Sequence, residues 1–107
     1  MNVEAGDDHN LFYWFFRHPD QNAPVLLWLN GGPGASSMFG LFLENGPLRV
    51  ERTGTGNDDF KIVKADKAWT DDYHVIFLDQ PVNTGFSYGD TSLTSMKKGS
   101  KEFLTFV

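Results

Sequence analysis

The chain has few basic residues and no cysteine. It carries 9 Lys and Arg against 14 Asp and Glu, without a basic stripe, which argues against nucleic acid or an anionic membrane as a partner. No apolar run is long enough to span a membrane, and residues 1–8 lack a basic region followed by an apolar stretch. We therefore expect neither a membrane span nor a signal peptide. Without cysteine, the redox compartment cannot be inferred.

The rest of the composition is typical of a folded domain. Hydrophobic residues make up 40% of the 107 residues and charged residues 21%, which are ordinary values, whereas the aromatic content of 15% is high. A chain of this length allows one domain with a modest core. We expect the polar terminus at residues 1–9 to be disordered. An apolar stripe with lysines off it predicts an amphipathic helix over residues 91–107.

A strand followed by a glycine-rich turn dominates the first half of the chain. Residues 25–29 form an apolar run that predicts a strand buried on both faces, as in parallel α/β sheets. A Gly-Gly-Pro-Gly turn follows at residues 31–34, and helical spacing of apolar residues predicts a short helix over residues 36–44. Glycines let backbone N–H groups approach a ligand, so this turn suits an anion or a developing oxyanion. Glycine is equally needed merely to turn a chain, so the turn alone leaves both interpretations open.

Four further segments are predicted to be strands. Residues 11–16 form an aromatic and aliphatic run that we expect to pair antiparallel with an upstream or central strand. Residues 75–78 predict a second buried strand, and residues 48–52 and 60–63 predict half-exposed or edge strands. Two buried strands separated by a helix and a long loop make a βαβ-like unit, so the predicted fold class is α/β.

Sequence motifs carry more information than these patterns. The residues in order are LFYWFF at 11–16, WLNGGPGASS at 28–37, LENGP at 43–47 and FLDQPVNTGFSY at 77–88. Together they closely resemble the serine carboxypeptidase family of α/β-hydrolases, over most of the chain. The resemblance implies that residues 1–107 are an N-terminal fragment of such a domain. It implies about four to five strands of the α/β-hydrolase sheet with two helices, incomplete as a domain.

The resemblance also implies a set of site residues in the glycine turn and the strand before it. The backbone N–H of Gly32 corresponds to an oxyanion-hole donor, which stabilises the charge that develops when a serine attacks the scissile carbonyl. Trp28, Asn30 and the N–H of Gly31 look like the site that binds the free C-terminal carboxylate of a peptide. Binding of that carboxylate is what makes such enzymes exopeptidases.

Three residues of the predicted helix complete the implied site. Phe39 and Leu43 fall where the family lines the subsite for the leaving residue, and the bulk of Phe39 suggests a preference for apolar terminal residues. Glu44 matches a buried glutamate that shares a proton with a second acid, which allows carboxylate recognition at acidic pH. The alternative for Glu44 is an exposed carboxylate at a helix end. We expect no metal or cofactor, because no His or carboxylate pair has metal-ligand spacing with a third ligand nearby.

A catalytic nucleophile is harder to find. Residues 85–89 match the G-x-S-x-G pattern, which would make Ser87 the nucleophile, but Pro81 and Gly85 separate it from the preceding strand. The three histidines precede Ser87, whereas the triad order requires a later one, and we expect each of them on the solvated surface. They are His9, His18 and His74. In the family resembled, residues 85–89 are a structural turn and the nucleophile lies in a later Gly-Glu-Ser-Tyr-Ala-Gly elbow.

Two smaller features bear on the comparison with the family. Ser36 and Ser37 are interpreted as hydroxyls at a helix start rather than as nucleophiles. Ala35 stands where the family usually has cysteine. Either the lineage lacks that disulfide or the chain is incomplete.

The predicted function is that of a serine-type carboxypeptidase, with this chain supplying the oxyanion and carboxylate-recognition loop but not the triad. The chain alone is then expected to be inactive, with peptide or protein C-termini as the substrate of the complete protein. A downstream hydrolase segment or a partner chain would cover the open edge of the strand at residues 25–29. The alternatives are a catalytically inactive peptide-binding or scaffold protein and a simple anion-binding module. The resemblance implies a lysosomal, vacuolar or secreted location.

Overall fold

The computed structural model describes residues 2–4, 9–89 and 104. Two short helical segments lie among the strands, a π-helix at Gly40–Glu44 and a 3-10 turn at Trp69–Asp71. The strands in chain order are β1 (Asn2–Glu4), β2 (Asn10–Phe16), β3 (Val25–Trp28), β4 (Leu48–Arg52), β5 (Phe60–Lys64) and β6 (His74–Leu78).

Four of the strands form the main sheet, in the order β1-β2-β6-β3. β2 is antiparallel to both β1 and β6, as expected for the aromatic run. β3 and β6 are parallel neighbours, with Leu27 opposite Ile76 and Trp28 opposite Phe77, which confirms the βαβ-like unit. β4 and β5 pair separately as an antiparallel hairpin, and both are largely exposed, as predicted.

Side chains on the two faces of β6 build two apolar clusters. Val75 and Phe77 point to one face, where they pack with Met38 and Leu41 from the helical segment. Leu78 points to the other face and packs with Leu11 of β2 and its neighbours. This alternation follows from the two-residue period of a strand, and it makes β6 the buried centre of the sheet.

Two expectations about the strands need correction. β3 is not buried on both faces, since Val25 is 59% exposed and the rest of the strand is half-buried. In the part of the chain that the structure describes, β3 is an edge strand with β6 as its neighbour, so less of its surface is covered. Residues 2–4 form β1 rather than the disordered terminus we expected, because their backbone pairs with Asn10–Phe16. The main sheet of the described residues has four strands, and the separate β4–β5 hairpin brings the described total to six.

The predicted helix over residues 36–44 is present but shorter and wider than an α-helix. The π-helix spans Gly40–Glu44 and ends where the Asn45 N–H donates to the Gly40 carbonyl at 2.9 Å. The predicted helix over residues 91–107 lies outside the described residues, apart from Leu104. Among the described residues, no helix has the length and apolar character that crossing a membrane would require.

Candidate active site

The candidate site lies where β3 and β6 end. Carboxyl ends of parallel neighbours meet at the same edge of a sheet, which is where ligands of open α/β sheets bind. Asn30 follows β3 and Asp79 follows β6, so both residues lie at this edge. The glycine turn runs between Asn30 and the serine pair at residues 36–37.

The Asn30 side chain is held in one orientation by two donors. Its Oδ1 accepts a hydrogen bond from Trp28 Nε1 at 2.7 Å and from the backbone N–H of Gly40 at 3.2 Å. An amide oxygen has two acceptor sites, so both are occupied and the NH2 group is directed away from these partners. The structure therefore brings Trp28 and Asn30 together, as the sequence predicted, and leaves the amide donors of Asn30 for a further acceptor.

The glycine turn is open to solvent. Gly31 and Gly32 are both exposed, and no heavy atom lies within 4 Å of the position that a Cβ on Gly31 would take. Gly32 has a φ of 132° and Gly34 a φ of 101°, conformations that residues with a Cβ rarely adopt. An incoming group can thus approach the turn, whose shape requires glycine at these two positions.

The Trp28 indole lies between the turn and a second tryptophan. Its ring contacts Trp69 edge-on, with the ring centroids 5.3 Å apart. Nothing in the sequence placed Trp69 beside Trp28, 41 positions earlier. This contact restricts the Trp28 indole, and the Trp28 N–H in turn binds Asn30. Trp69 therefore helps to orient Asn30 through the Trp28 indole.

The three remaining predicted site residues lie on the exposed side of the helical segment. Phe39 is 56% and Leu43 59% exposed, which leaves an apolar surface beside the turn. The side chain of Glu44 is exposed, while its carbonyl accepts a hydrogen bond from Arg49 Nη2 at 2.7 Å. This exposure alone does not distinguish the two interpretations of Glu44, so its role stays a prediction.

One residue of this edge was missed in the sequence. Asp79 is fully buried, and its Oδ1 accepts hydrogen bonds from Ser36 Oγ and from the backbone N–H of Ser37, both at 2.7 Å. Ser36 Oγ also accepts from the Met38 N–H at 3.2 Å, which agrees with its predicted place at a helix start. The place of Asp79 directly after the predicted buried strand at residues 75–78 was the available clue in the sequence.

Ser87 is buried and hydrogen-bonded within the fold, which agrees with our rejection of the G-x-S-x-G pattern. It is 4% exposed, accepts a hydrogen bond from the Phe12 N–H at 2.8 Å and donates to the Asp79 carbonyl at 2.5 Å. The prediction for His74 was wrong, because this histidine is buried. Its Nδ1 accepts a hydrogen bond from the His18 backbone N–H at 2.9 Å, a contact between segments 56 residues apart.

The strands and the site at their carboxyl ends form an α/β fold, and this fold is similar to part of a carboxypeptidase of known structure. The crystal structure of Kex1(delta)p, a prohormone-processing carboxypeptidase from Saccharomyces cerevisiae, matches 98% of this chain and 25% of that one. The TM-score is 0.83 and the sequence identity 29%. The serine carboxypeptidase family model matches residues 1–107, and the chain therefore belongs to the serine carboxypeptidase family.

Fungal relatives agree with this assignment. Carboxypeptidase Y homolog A of Chaetomium globosum is 50% identical over 104 residues, covering 95% of this chain and 18% of the relative. The homolog A of Trichophyton rubrum is 47% identical over 97 residues, covering 89% of this chain and 17% of the relative. The chain therefore spans less than a fifth of the length of these relatives.

Proposed function

We propose that this chain forms the oxyanion and carboxylate-recognition part of a serine-type carboxypeptidase, an enzyme that releases C-terminal residues from peptides. The orientation of Asn30 is the observation that carries the proposal. Because Trp28 Nε1 and the Gly40 N–H occupy its Oδ1, its NH2 group is free to donate to a substrate carboxylate. Hydrogen bonds to an ionised acceptor are the stronger kind, which suits recognition of a free C-terminus.

The glycine turn has a second role in this proposal. The Gly31 N–H binds the same carboxylate, and the Gly32 N–H donates to the oxyanion that forms on the scissile carbonyl. The open space beside Gly31 and the exposure of both glycines support this assignment. Loss of one oxyanion donor typically costs about 3 kcal/mol in the barrier, so the Gly32 N–H would matter for kcat.

The apolar surface of Phe39 and Leu43 would contact the leaving residue, which favours apolar C-terminal residues. Glu44 would pair with a second acid contributed by the remainder of the protein, and that remainder would cover it. The nucleophile, acid and base also come from that remainder, so we expect residues 1–107 alone to be inactive. We expect the location to be lysosomal, vacuolar or secreted.

The test uses a chimera in which this chain replaces the matching segment of the Chaetomium globosum relative. The chimera should hydrolyse a blocked dipeptide with a free C-terminus faster than the same dipeptide as its C-terminal amide. Asn30→Ala should lower kcat/KM for the free acid by about tenfold or more, with a much smaller effect on the amide, since it removes a bond to a charged group.

Two outcomes would contradict the proposal. Equal losses on the acid and the amide would mean that Asn30 does not recognise the carboxylate. Turnover by the 107-residue chain alone, abolished by Ser87→Ala, would mean that the chain carries its own nucleophile. Lys61→Ala in the exposed β4–β5 hairpin is the control substitution and should leave both rates unchanged.

A further inference from the structure

We propose that Asp79 is a positioning residue that holds the glycine turn in its working geometry from the end of β6. This inference rests on the proposed function, because it assigns to Asp79 the placement of the Gly32 N–H and of Asn30. Asp79 itself touches no substrate in this proposal. Its effect passes through Ser36 and Ser37.

The Asp79 carboxylate joins two loops. Oδ1 accepts from Ser36 Oγ and the Ser37 N–H at 2.7 Å, and Oδ2 accepts from the Phe86 N–H at 2.9 Å. The side chain is 0% exposed, so its bonds do not compete with solvent. A buried carboxylate bound by three donors is an anchor of defined geometry, because each lost bond would leave an acceptor site of the buried carboxylate unfilled.

The end of β6 controls both ends of the turn. Ser37 Oγ donates to the Leu78 carbonyl at 2.5 Å and accepts from the Asn30 N–H at 3.1 Å. The serine pair at the far end of the turn is therefore tied to β6, and Asn30 at the near end is tied to Ser37. Between these ends the turn is exposed, with one internal bond from the Ala35 N–H to the Gly31 carbonyl at 3.3 Å. Its position thus depends on the anchors.

The geometry of Gly85 is independent support for a site shaped around the carboxylate. A Cβ on Gly85 would lie 2.1 Å from Asp79 Oδ2 and 2.7 Å from Ser36 Oγ. Gly85 also has a φ of 55°, which favours glycine. The loop at residues 80–87 thus leaves room for the Asp79 carboxylate and the Ser36 hydroxyl together.

Asp79→Asn is the sharpest substitution, because it keeps the shape and changes one acceptor into a donor. In either amide orientation the new NH2 group faces an N–H, that of Phe86 or that of Ser37. Ser36→Ala is the second variant, since it removes only one of the three bonds. Ser87→Ala is the matched control, because Ser87 bonds the Asp79 carbonyl and Phe12 in the same buried region without touching the turn.

The experiment measures kcat and KM of the chimera, together with hydrogen exchange of the bonded N–H groups of Asn30 and Ala35, at the two ends of the turn. Asp79→Asn and Ser36→Ala should lower kcat by about tenfold or more and speed exchange in the turn, as expected when reacting groups are misplaced. Ser87→Ala should lower the midpoint of thermal unfolding while kcat and exchange in the turn stay unchanged.

The inference is overturned if Asp79→Asn and Ser36→Ala lower only the unfolding midpoint, as Ser87→Ala does. Ser36→Ala retains two of the three bonds to the Asp79 carboxylate, so this variant alone provides the test if Asp79→Asn does not fold. A chimera that folds without activity would count against the proposed function. The exchange measurement would still decide whether Asp79 holds the turn.

Discussion

The backbone of Gly40 lies directly against the indole of Trp28, so that a Cβ on Gly40 would come within 2.2 Å of Trp28 Nε1. The same glycine donates its N–H to Asn30 Oδ1. The hydrogen bond between Trp28 and Asn30 can therefore form beside Gly40 only because residue 40 lacks a side chain. This relationship links a small residue in the helix to the carboxylate-binding group that we propose.

Gly40→Ala in the chimera should raise KM for peptides with a free C-terminus about tenfold, because the displaced indole no longer orients Asn30. Steady-state kinetics on the acid and amide substrates measure the effect. Gly56→Ala in the exposed hairpin is the matched control, since its new methyl group would meet mainly the side chain of Asp59, which can move. Unchanged KM in Gly40→Ala would show that Asn30 keeps its orientation without this contact.

Gly85→Ala should lower the free energy of unfolding by about 2 kcal/mol or more. The methyl group would overlap the Asp79 carboxylate, and the φ of 55° disfavours a residue with a Cβ. Urea unfolding of the chimera measures the change. A loss below about 0.5 kcal/mol, within the range of ordinary surface substitutions, would mean that the loop relaxes easily.

His74→Phe should lower the free energy of unfolding by about 1 kcal/mol, because the partly buried His18 N–H loses its acceptor. The ring volume is nearly kept, so packing changes little. The kinetic constants should stay the same, since His74 lies at the opposite end of β6 from the candidate site. A fall in kcat comparable with that of Asp79→Asn would contradict this purely structural role.

Lys61→Ala should change the free energy of unfolding by less than about 1 kcal/mol. Lys61 Nζ lies 3.1 Å from Glu51 Oε2, but both side chains are more than half exposed, so solvent screens the pair. Urea unfolding of Lys61→Ala, of Glu51→Ala and of the variant with both substitutions forms a double-mutant cycle that gives the coupling energy of the pair. A coupling energy well above 1 kcal/mol would indicate that the hairpin depends on this ion pair.

Among the residues that the structure describes, β3 has β6 on one side and no strand on the other, and its Val25 is exposed. The 107-residue chain by itself should therefore associate through this edge. Val25→Lys at this edge should reduce association in sedimentation velocity. Ile62→Lys is the matched control, because Ile62 is 61% exposed on the separate β4–β5 hairpin. Equal effects of the two substitutions would point to general apolar exposure rather than to the edge.

Much of the fold could be predicted because its information is local. Runs of aromatic and aliphatic residues placed β2, β3 and β6 within one residue of their observed bounds. The π-form of Gly40–Glu44 was not predicted, because the spacing of apolar residues that indicates a helix does not distinguish a π-helix from an α-helix. The burial of His74 was missed because its partner is 56 residues away.

The sequence by itself determined the family, the approximate bounds of β2 to β6 and the position of the glycine turn, because these depend on motifs and on periodicities within short segments. Only the tertiary structure decided what orients the site. Asn30 is fixed by Trp28 and Gly40, and Asp79 meets Ser36 across 43 positions. Such contacts depend on the parallel register of β3 and β6, which brings distant segments to one sheet edge and which no local pattern specifies.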